Sequence, residues 1–210
     1  MLNIDNIPIL SIDLPDAQEW QDRIGLSKLY FESQGINNIY WITGIHGEAF
    51  GIKAARPYQR DVPDTDWHLE PRTVGGYLSA YMLFSIAYSH SEWSHFIYLE
   101  DDIRFHEGWK ERLTNALNDV PEDFDWLFLS HCCTEGRETK HIKGEVFEVK
   151  YPMAGGFSIV ARKALPTIIN GLRDACTPTD ITLFDRVFKD LKVYTLLPRL
   201  AEQDKTFLPR

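Results

Sequence analysis

One stretch of the sequence, residues 95–102, reads HFIYLEDD. Its first part, His95–Leu99, is an apolar run of strand length and predicts a buried β-strand. Glu100, Asp101 and Asp102 follow without a gap, so three carboxylates repel one another at the end of that strand. A divalent cation that prefers oxygen ligands offsets such repulsion. Residues at i and i+2 of an extended segment point the same way, so Glu100 and Asp102 can share one cation site. The alternative is a solvated acidic turn or a cap for the next helix.

Apolar runs of strand length alternate with helical patterns along the rest of the chain. Further strands are predicted over Ile7–Leu14, Asn38–Thr43, Trp126–Ser130, Val146–Tyr151, Gly156–Val160 and Lys192–Leu197. Helices are predicted over residues 16–35, with Asp16 as N-cap and a break at Gly25, and over 74–88, 108–117, 162–172 and 179–191. A loop is predicted over residues 44–72. This order predicts an α/β fold, a three-layer α/β/α sandwich with a mixed, mostly parallel sheet. In such sheets the ligand crevice lies at the carboxyl ends of the strands.

Composition limits the class of protein. The chain has 210 residues, of which 44% are hydrophobic and 25% charged, and this excludes a disordered chain. No linker or repeat interrupts it, so one domain is predicted over residues 1–210. The net charge of −9 predicts no general affinity for nucleic acid or for anionic membranes.

The cysteines and the apolar runs indicate where in the cell the protein is located. The longest apolar candidate, residues 78–88, is too short to span a membrane, so no transmembrane segment is predicted. The first residues lack the pattern of a signal peptide. Three cysteines make an odd count, and Cys132 and Cys133 are adjacent, so free thiols and a cytoplasmic location are predicted. A zinc site at His131–Cys133 is not predicted, because Cys176 and His141 are isolated in the sequence.

The acidic stretch resembles a segment of a known enzyme family. Residues 96–105, FIYLEDDIRF, are similar to the LEDDv.f segment of glycosyltransferase family 25, which includes bacterial lipooligosaccharide galactosyltransferases and collagen galactosyltransferases. Four further segments agree with the family in the same order, within residues 9–23, 40–47, 151–164 and 178–203. One position departs from the pattern: the family usually shows a Ser-His pair before the acidic turn, and here Ser79 is followed by Ala80.

The resemblance implies a glycosyltransferase domain with the GT-A type of fold. It implies inverting transfer of a hexose, galactose or glucose, from a nucleotide sugar that is typically linked to UDP. It implies Mn²⁺ (or Mg²⁺) as cofactor. The partners would be the sugar nucleotide and an acceptor hydroxyl on a glycan, a glycolipid or a hydroxylated polymer.

The acidic turn supplies the candidate donor and metal site. Asp102 is the candidate for direct metal contact, and Glu100 is its co-ligand or a contact to the donor. Asp101 completes the donor motif. Asp13, at the end of the first strand, is a candidate nucleotide contact or else a turn-stabilising carboxylate. Arg23 is a candidate phosphate contact or else an exposed helical arginine.

Two further positions carry predicted roles. Gly155 and Gly156 precede a strand and allow close approach of the backbone to a ligand, or else form a bulge or tight turn. An inverting transfer needs a base that deprotonates the acceptor hydroxyl. Asp180 is the candidate base, and its alternative role is a charge that favours the start of a helix. Glu202 is the fallback candidate for the base.

Two other functions compete with glycosyl transfer. A nucleotidyltransferase can share the sandwich and the acidic metal site, but it should carry a Gly-rich phosphate loop after the first strand, and residues 11–24 contain none. A non-catalytic sugar-binding relative should have lost the metal and nucleotide site, whereas Glu100–Asp102 are intact.

Overall fold

The centre of the fold is an eight-stranded β-sheet. The computed structural model describes residues 2–14, 18–48, 71–130, 139–150, 155–173 and 179–204. Eight strands form the sheet: β1 (Ile9–Asp13), β2 (Ile39–Thr43), β3 (His95–Leu99), β5 (Trp126–Ser130), β6 (Thr139–Lys143), β7 (Val146–Val149), β8 (Phe157–Ala161) and β9 (Val193–Leu196). Two short strands, β4 (Ile103–Phe105) and β10 (Ala201–Gln203), pair with each other in a second sheet.

The large sheet is mixed, as the sequence predicts. Its strand order is β2-β1-β3-β8-β5-β9-β7-β6. Strands β1, β2 and β3 are parallel to one another, as are β5 and β9, whereas β8 and β7 run against their neighbours. Six of the eight strands therefore point the same way, and the sheet is mostly parallel by strand direction. Their carboxyl ends lie at one edge, where the sheet can hold a ligand.

Helices cover both faces of the sheet. One face packs against α2 (Pro71–Ser89), α4 (Leu165–Arg173) and α5 (Thr179–Thr182), which continues as a π-helical segment (Leu183–Val187) and a 3-10 turn (Phe188–Asp190). The other face packs against α1 (Gln18–Ser33), α3 (Trp109–Ala116) and the small sheet. This arrangement confirms the predicted three-layer α/β/α sandwich. Within the described ranges, no helix combines the length and the hydropathy that a membrane crossing requires.

Some elements differ from the prediction. Gly25 does not break α1: the helix runs through it, since one glycine costs a helix interior only about 1 kcal/mol. The prediction missed β4, β6 and β10, which have only three to five residues each. The predicted helix over 179–191 is present, but its middle turns are π-helical.

Several predictions fall outside the described residues. They concern the N-cap at Asp16, most of the predicted loop over 44–72, the three cysteines with His131, and the segment before Gly155. They stay predictions.

Candidate functional site

A cleft of about 520 Å³ opens at the carboxyl edge of the large sheet. Strand ends supply part of its wall, with Ile12 from β1, Glu100 after β3, and Gly155 before β8. The first turns of α2 and α5 supply the opposite side, where Thr73 and Asp180 lie. The remaining lining residues are Gly76, Tyr77, Ala80, Phe84, Tyr98, Trp126, Phe128, Thr179, Leu183, Phe188 and Gln203. The cleft therefore occupies the position that α/β sheets use for ligands.

Glu100 is held in this cleft by a hydrogen bond to each carboxylate oxygen. The Tyr98 hydroxyl donates to Oε1 at 2.8 Å, and the Gln203 side-chain amide donates to Oε2 at 3.0 Å. Burial, together with the negative charge of Asp102, raises the pKa of Glu100 to about 7. The carboxyl group of Glu100 is thus able to change its charge near neutral pH.

Two glycines set the wall beside Glu100. The Gly156 carbonyl accepts a hydrogen bond from the Glu100 backbone N–H at 2.6 Å. A Cβ on Gly156 would lie 2.5 Å from Oε2 of Glu100, closer than such contacts occur. A Cβ on Gly155 would overlap the ring of Phe128. Both glycines are therefore required by close packing, and Gly155 also faces the cleft.

Asp101 points away from the cleft and pairs with Arg23 of α1. Arg23 Nε lies 2.5 Å from Oδ2 of Asp101, and Arg23 Nη2 donates to Oδ1 at 2.8 Å. The Ser27 hydroxyl donates to the carbonyl oxygen of Asp101 at 2.5 Å. Arg23, predicted as a phosphate contact or an exposed arginine, is thus a largely buried partner of the acidic turn in this structure.

Asp102 is buried at the same turn and is 7% exposed. Arg23 Nη2 lies 3.4 Å from Oδ2 of Asp102, while Oδ1 has no hydrogen-bond partner within the described part of the chain. Burial and the charge of Asp101 raise the pKa of the Asp102 carboxyl. An unpartnered buried carboxylate oxygen is costly, so this atom is suited to a ligand or a cation.

The residues at this turn fit a divalent cation only in part. Among the described residues, no group of three His, Cys, Asp or Glu side chains has a metal-binding arrangement. Mg²⁺ sites of transferases, however, commonly use one or two carboxylates and take their other ligands from substrate phosphates and water. Two carboxylates of the turn are available for such a site: Glu100, which lines the cleft, and Asp102, which has the unpartnered Oδ1 but is not among the lining residues.

Asp13 and Glu202 lie beside the cleft, and neither is among its lining residues. Asp13 ends β1, and its Oδ2 accepts a hydrogen bond from Lys28 Nζ at 2.9 Å. Glu202 is exposed and pairs with Arg199 at 3.2 Å. Asp180 does line the cleft, in the first turn of α5, where its Oδ1 accepts the Ile181 backbone N–H at 2.9 Å.

Sequence reasoning missed several residues of the cleft. Tyr98 lies two positions before Glu100 on the same side of the strand, and that alternation was the available signal. Gln203 ends the last segment that resembles glycosyltransferase family 25, but its contact with Glu100 was not predicted, because the two residues are 103 positions apart in the chain. Trp126 and Phe128 read simply as buried strand residues.

The solved structures most similar to this one include transferases. A "glycosyltransferase involved in the glycosylation of the major capsid of PBCV-1" matches with a TM-score of 0.51 at 14% identity, covering 94% of this chain and 92% of that chain. Protein A197 from STIV matches with a TM-score of 0.45 at 11% identity, covering 90% and 81%. A mannose-1-phosphate geranyltransferase from Thermus thermophilus matches with a TM-score of 0.47 at 11% identity, covering 92% and 74%.

The first of these matches shows that the chain has a glycosyltransferase-like fold. No protein-family model and no curated protein sequence matches the chain.

Proposed function

We propose that this chain transfers a hexose from a nucleotide sugar to an acceptor hydroxyl. The observation that carries the proposal is the cleft at the carboxyl edge of the sheet, which presents Glu100 and Asp180 in a glycosyltransferase-like fold. The five sequence segments that resemble glycosyltransferase family 25 support the same function and favour UDP-galactose or UDP-glucose as donor.

The acidic turn is the proposed donor site. Asp102 and Glu100 would hold a divalent cation, Mn²⁺ or Mg²⁺, together with the diphosphate of the donor. When bound, the cation offsets the negative charge that develops on the departing nucleoside diphosphate. Arg23 acts indirectly in this proposal, because its guanidinium holds Asp101 and so fixes the turn that carries Asp102.

Asp180 is the proposed base. Its Oδ1 is occupied by the Ile181 N–H, so Oδ2 is the atom that would take the proton from the acceptor hydroxyl. The hydroxyl oxygen then forms a bond to the anomeric carbon as the bond from that carbon to the phosphate oxygen breaks, and the configuration inverts. Glu202 is less suited to this role, because it is exposed and paired with Arg199.

We propose one catalytic domain over residues 1–210, acting in the cytoplasm on a glycan, a glycolipid or a hydroxylated polymer. Gly155, Gly156 and Asp13 stay candidate donor contacts within it.

Direct binding tests this function. Isothermal titration with UDP-galactose, UDP-glucose and GDP-mannose, each with and without Mn²⁺, should show Mn²⁺-dependent binding of at least one of them. The product nucleoside diphosphate should bind as well. UTP, CTP and GTP with sugar 1-phosphates form the comparison arm.

A glycosyltransferase and a nucleotidyltransferase give opposite results in this titration. Tight binding of a nucleoside triphosphate, with pyrophosphate release from a sugar 1-phosphate, would make the chain a nucleotidyltransferase and overturn the proposal. Binding of free sugars without any nucleotide would instead indicate a non-catalytic sugar-binding protein.

A further inference from the structure

The cleft changes from polar to apolar with depth. Three polar lining residues at the ends of strands or helices, Glu100, Asp180 and Gln203, are at least partly exposed, and the part of the cleft that they line is its mouth. Its inner wall consists of buried aromatic side chains, each at most 8% exposed: Tyr77, Phe84, Trp126, Phe128 and Phe188. Trp126 opens strand β5, two residues before Phe128, so these two wall residues are about 7 Å apart along the strand.

The inner wall is held by ring packing. The Trp126 ring lies 5.9 Å from that of Phe84, 5.5 Å from Phe128 and 5.3 Å from Phe188 between centroids. On α2 the lining residues are Thr73, Gly76, Tyr77, Ala80 and Phe84, and a larger side chain at the small Ala80 would extend into the cleft. The rings thus pack against one another along the wall, and the cleft as a whole has the volume of a small-molecule pocket.

One polar group on this wall has no hydrogen-bond partner among the described residues. It is the indole Nε1 of Trp126, a residue that is only 1% exposed. Buried hydrogen-bond donors almost always have a partner, because a donor without one destabilises the protein. A ligand that accepts a hydrogen bond from this N–H would remove that cost.

We propose that the inner part of the cleft binds an apolar ring of the acceptor. The acceptor is then an aryl or cyclic alkyl alcohol, with its hydroxyl at the mouth beside Asp180 and a hydrogen-bond acceptor atom directed to the Trp126 indole N–H. This inference rests on the proposed function for the role of the hydroxyl, and it puts a ring alcohol in place of the glycan, glycolipid or hydroxylated polymer that the family resemblance implies.

The chemistry of the wall favours a ring alcohol over a sugar. Burial of an apolar ring between the aromatic side chains stabilises the complex in proportion to the apolar surface that leaves water. A hexose in the same space would lose water from several hydroxyl groups and would find few polar groups on this wall, the indole N–H and the Tyr77 hydroxyl, to replace it. The polar mouth suits the single hydroxyl that reacts.

Binding of small phenols tests the inference without any nucleotide sugar. The probes are 4-hydroxyacetophenone, 4-ethylphenol and methyl β-galactoside, titrated calorimetrically into the full chain. Both phenols should bind, the galactoside should not, and the ketone should bind about 3- to 10-fold more tightly than 4-ethylphenol because its carbonyl accepts the indole N–H.

Two variants locate the bound ring. Trp126→Phe keeps an aromatic ring and removes the donor, so the advantage of the ketone should disappear while 4-ethylphenol still binds. Ala80→Leu fills the open space from the α2 side, so both phenols should bind at least about 10-fold more weakly. Thermal unfolding of each variant checks that it is folded.

Several outcomes would overturn the inference. They are phenol affinity unchanged in folded Ala80→Leu, equal affinity of the two phenols for the unaltered protein, or preferential binding of the galactoside. Uridine binding that is lost in Ala80→Leu would assign the inner pocket to a nucleobase instead. The nucleotide-sugar titration tests the proposed function separately, so either one can fail alone.

Discussion

Arg23 contacts Asp101 through both nitrogens of one edge of its guanidinium group, with Nε 2.5 Å from Oδ2 and Nη2 2.8 Å from Oδ1. The two side chains are 10% and 15% exposed, so the pair is largely shielded from water. The same Nη2 also lies 3.4 Å from Asp102. One arginine of α1 thus neutralises much of the repulsion within the acidic turn.

Removing this arginine should destabilise the fold. Arg23→Gln leaves Asp101 without its fork-shaped partner, and the loss of one member of a shielded ion pair is expected to cost about 2 to 3 kcal/mol. Urea denaturation measures the change in the free energy of unfolding. Arg199→Gln is the matched control, because it breaks the exposed Arg199–Glu202 pair and should cost less than about 0.5 kcal/mol. Equal costs at both sites would contradict the structural role of Arg23.

Glu100→Gln should raise stability at alkaline pH. The folded-state pKa of Glu100 is about 7, above its ordinary value of 4.5, so the folded protein binds this proton more tightly than the unfolded chain. The ionised carboxyl therefore opposes folding above about pH 7, less so between pH 7 and 4.5, and not below. We expect a gain of about 1 to 2 kcal/mol at pH 8 and none near pH 4, with EDTA present.

The substituted side chain keeps its neighbours. The new amide oxygen in Glu100→Gln would still accept from Tyr98, and the amide of Gln203 can turn to present its own oxygen to the new NH₂ group. Glu202→Gln, at an exposed carboxyl, is the control and should change stability little at either pH. A gain for Glu100→Gln that is independent of pH would show that ionisation of Glu100 is not its cause.

Gly156→Ala should displace Glu100. The added Cβ would lie 2.5 Å from Oε2 and 2.9 Å from Cβ of Glu100, so the side chain has to leave its hydrogen bonds. We expect a loss of about 1 to 3 kcal/mol of stability together with weaker donor binding. Gly25→Ala in α1 is the opposite case, since its Cβ meets nothing and alanine is the better helix former. It should stabilise the protein by about 0.5 to 1 kcal/mol.

Asp102→Asn should abolish the dependence of donor binding on Mn²⁺ while leaving the fold intact. The reason is Oδ1 of Asp102, the buried carboxylate oxygen that the described residues leave available to a cation. Calorimetric titration of the nucleoside diphosphate with Mn²⁺ and then with EDTA measures the effect. Asp22→Asn, an exposed neighbour of Arg23 on α1, removes the same charge and should bind like the parent. Mn²⁺-dependent binding retained in Asp102→Asn would show that the cation binds elsewhere.

Asp180→Asn should lower turnover about 100-fold or more, the scale expected for the loss of a general base. Donor affinity should stay nearly unchanged, because the proposed role of Asp180 concerns the acceptor hydroxyl. Asp185→Asn, at an exposed position of the same helical segment, should keep full activity. A weaker donor affinity with a modest loss of turnover would make Asp180 a donor-sugar ligand.

Seven of the eight strands of the large sheet, all but β6, could be predicted because they are encoded locally. Residues 95–99 and 126–130 are short apolar runs with turn residues beside them, and runs of this kind usually form buried β-strands. The short strands β4 and β10 carry no such pattern. Each is three residues long, and they are stabilised by pairing with each other across about 100 positions of the chain. Pairing at that distance leaves no trace in the local sequence.

The sequence predicts which turn carries the carboxylates of the site, but it does not predict which residues those carboxylates contact. The position of Glu100–Asp102 after a buried strand was sufficient to place these carboxylates at the carboxyl edge of the sheet. That Glu100 faces the cleft while Asp101 faces Arg23 depends on how the turn is oriented. Ser27 and Arg23, more than 70 residues earlier in the chain, set that orientation.

Because β10 pairs with β4 from about 100 positions further along the chain, the site is completed late in protein synthesis. Glu100 receives one hydrogen bond from its own strand, through Tyr98, but the second comes from Gln203. A ribosome must therefore add 103 further residues before the group that donates to Oε2 exists. This hydrogen bond is thus tied to completion of β10, and a polypeptide released before residue 203 carries the acidic turn without it.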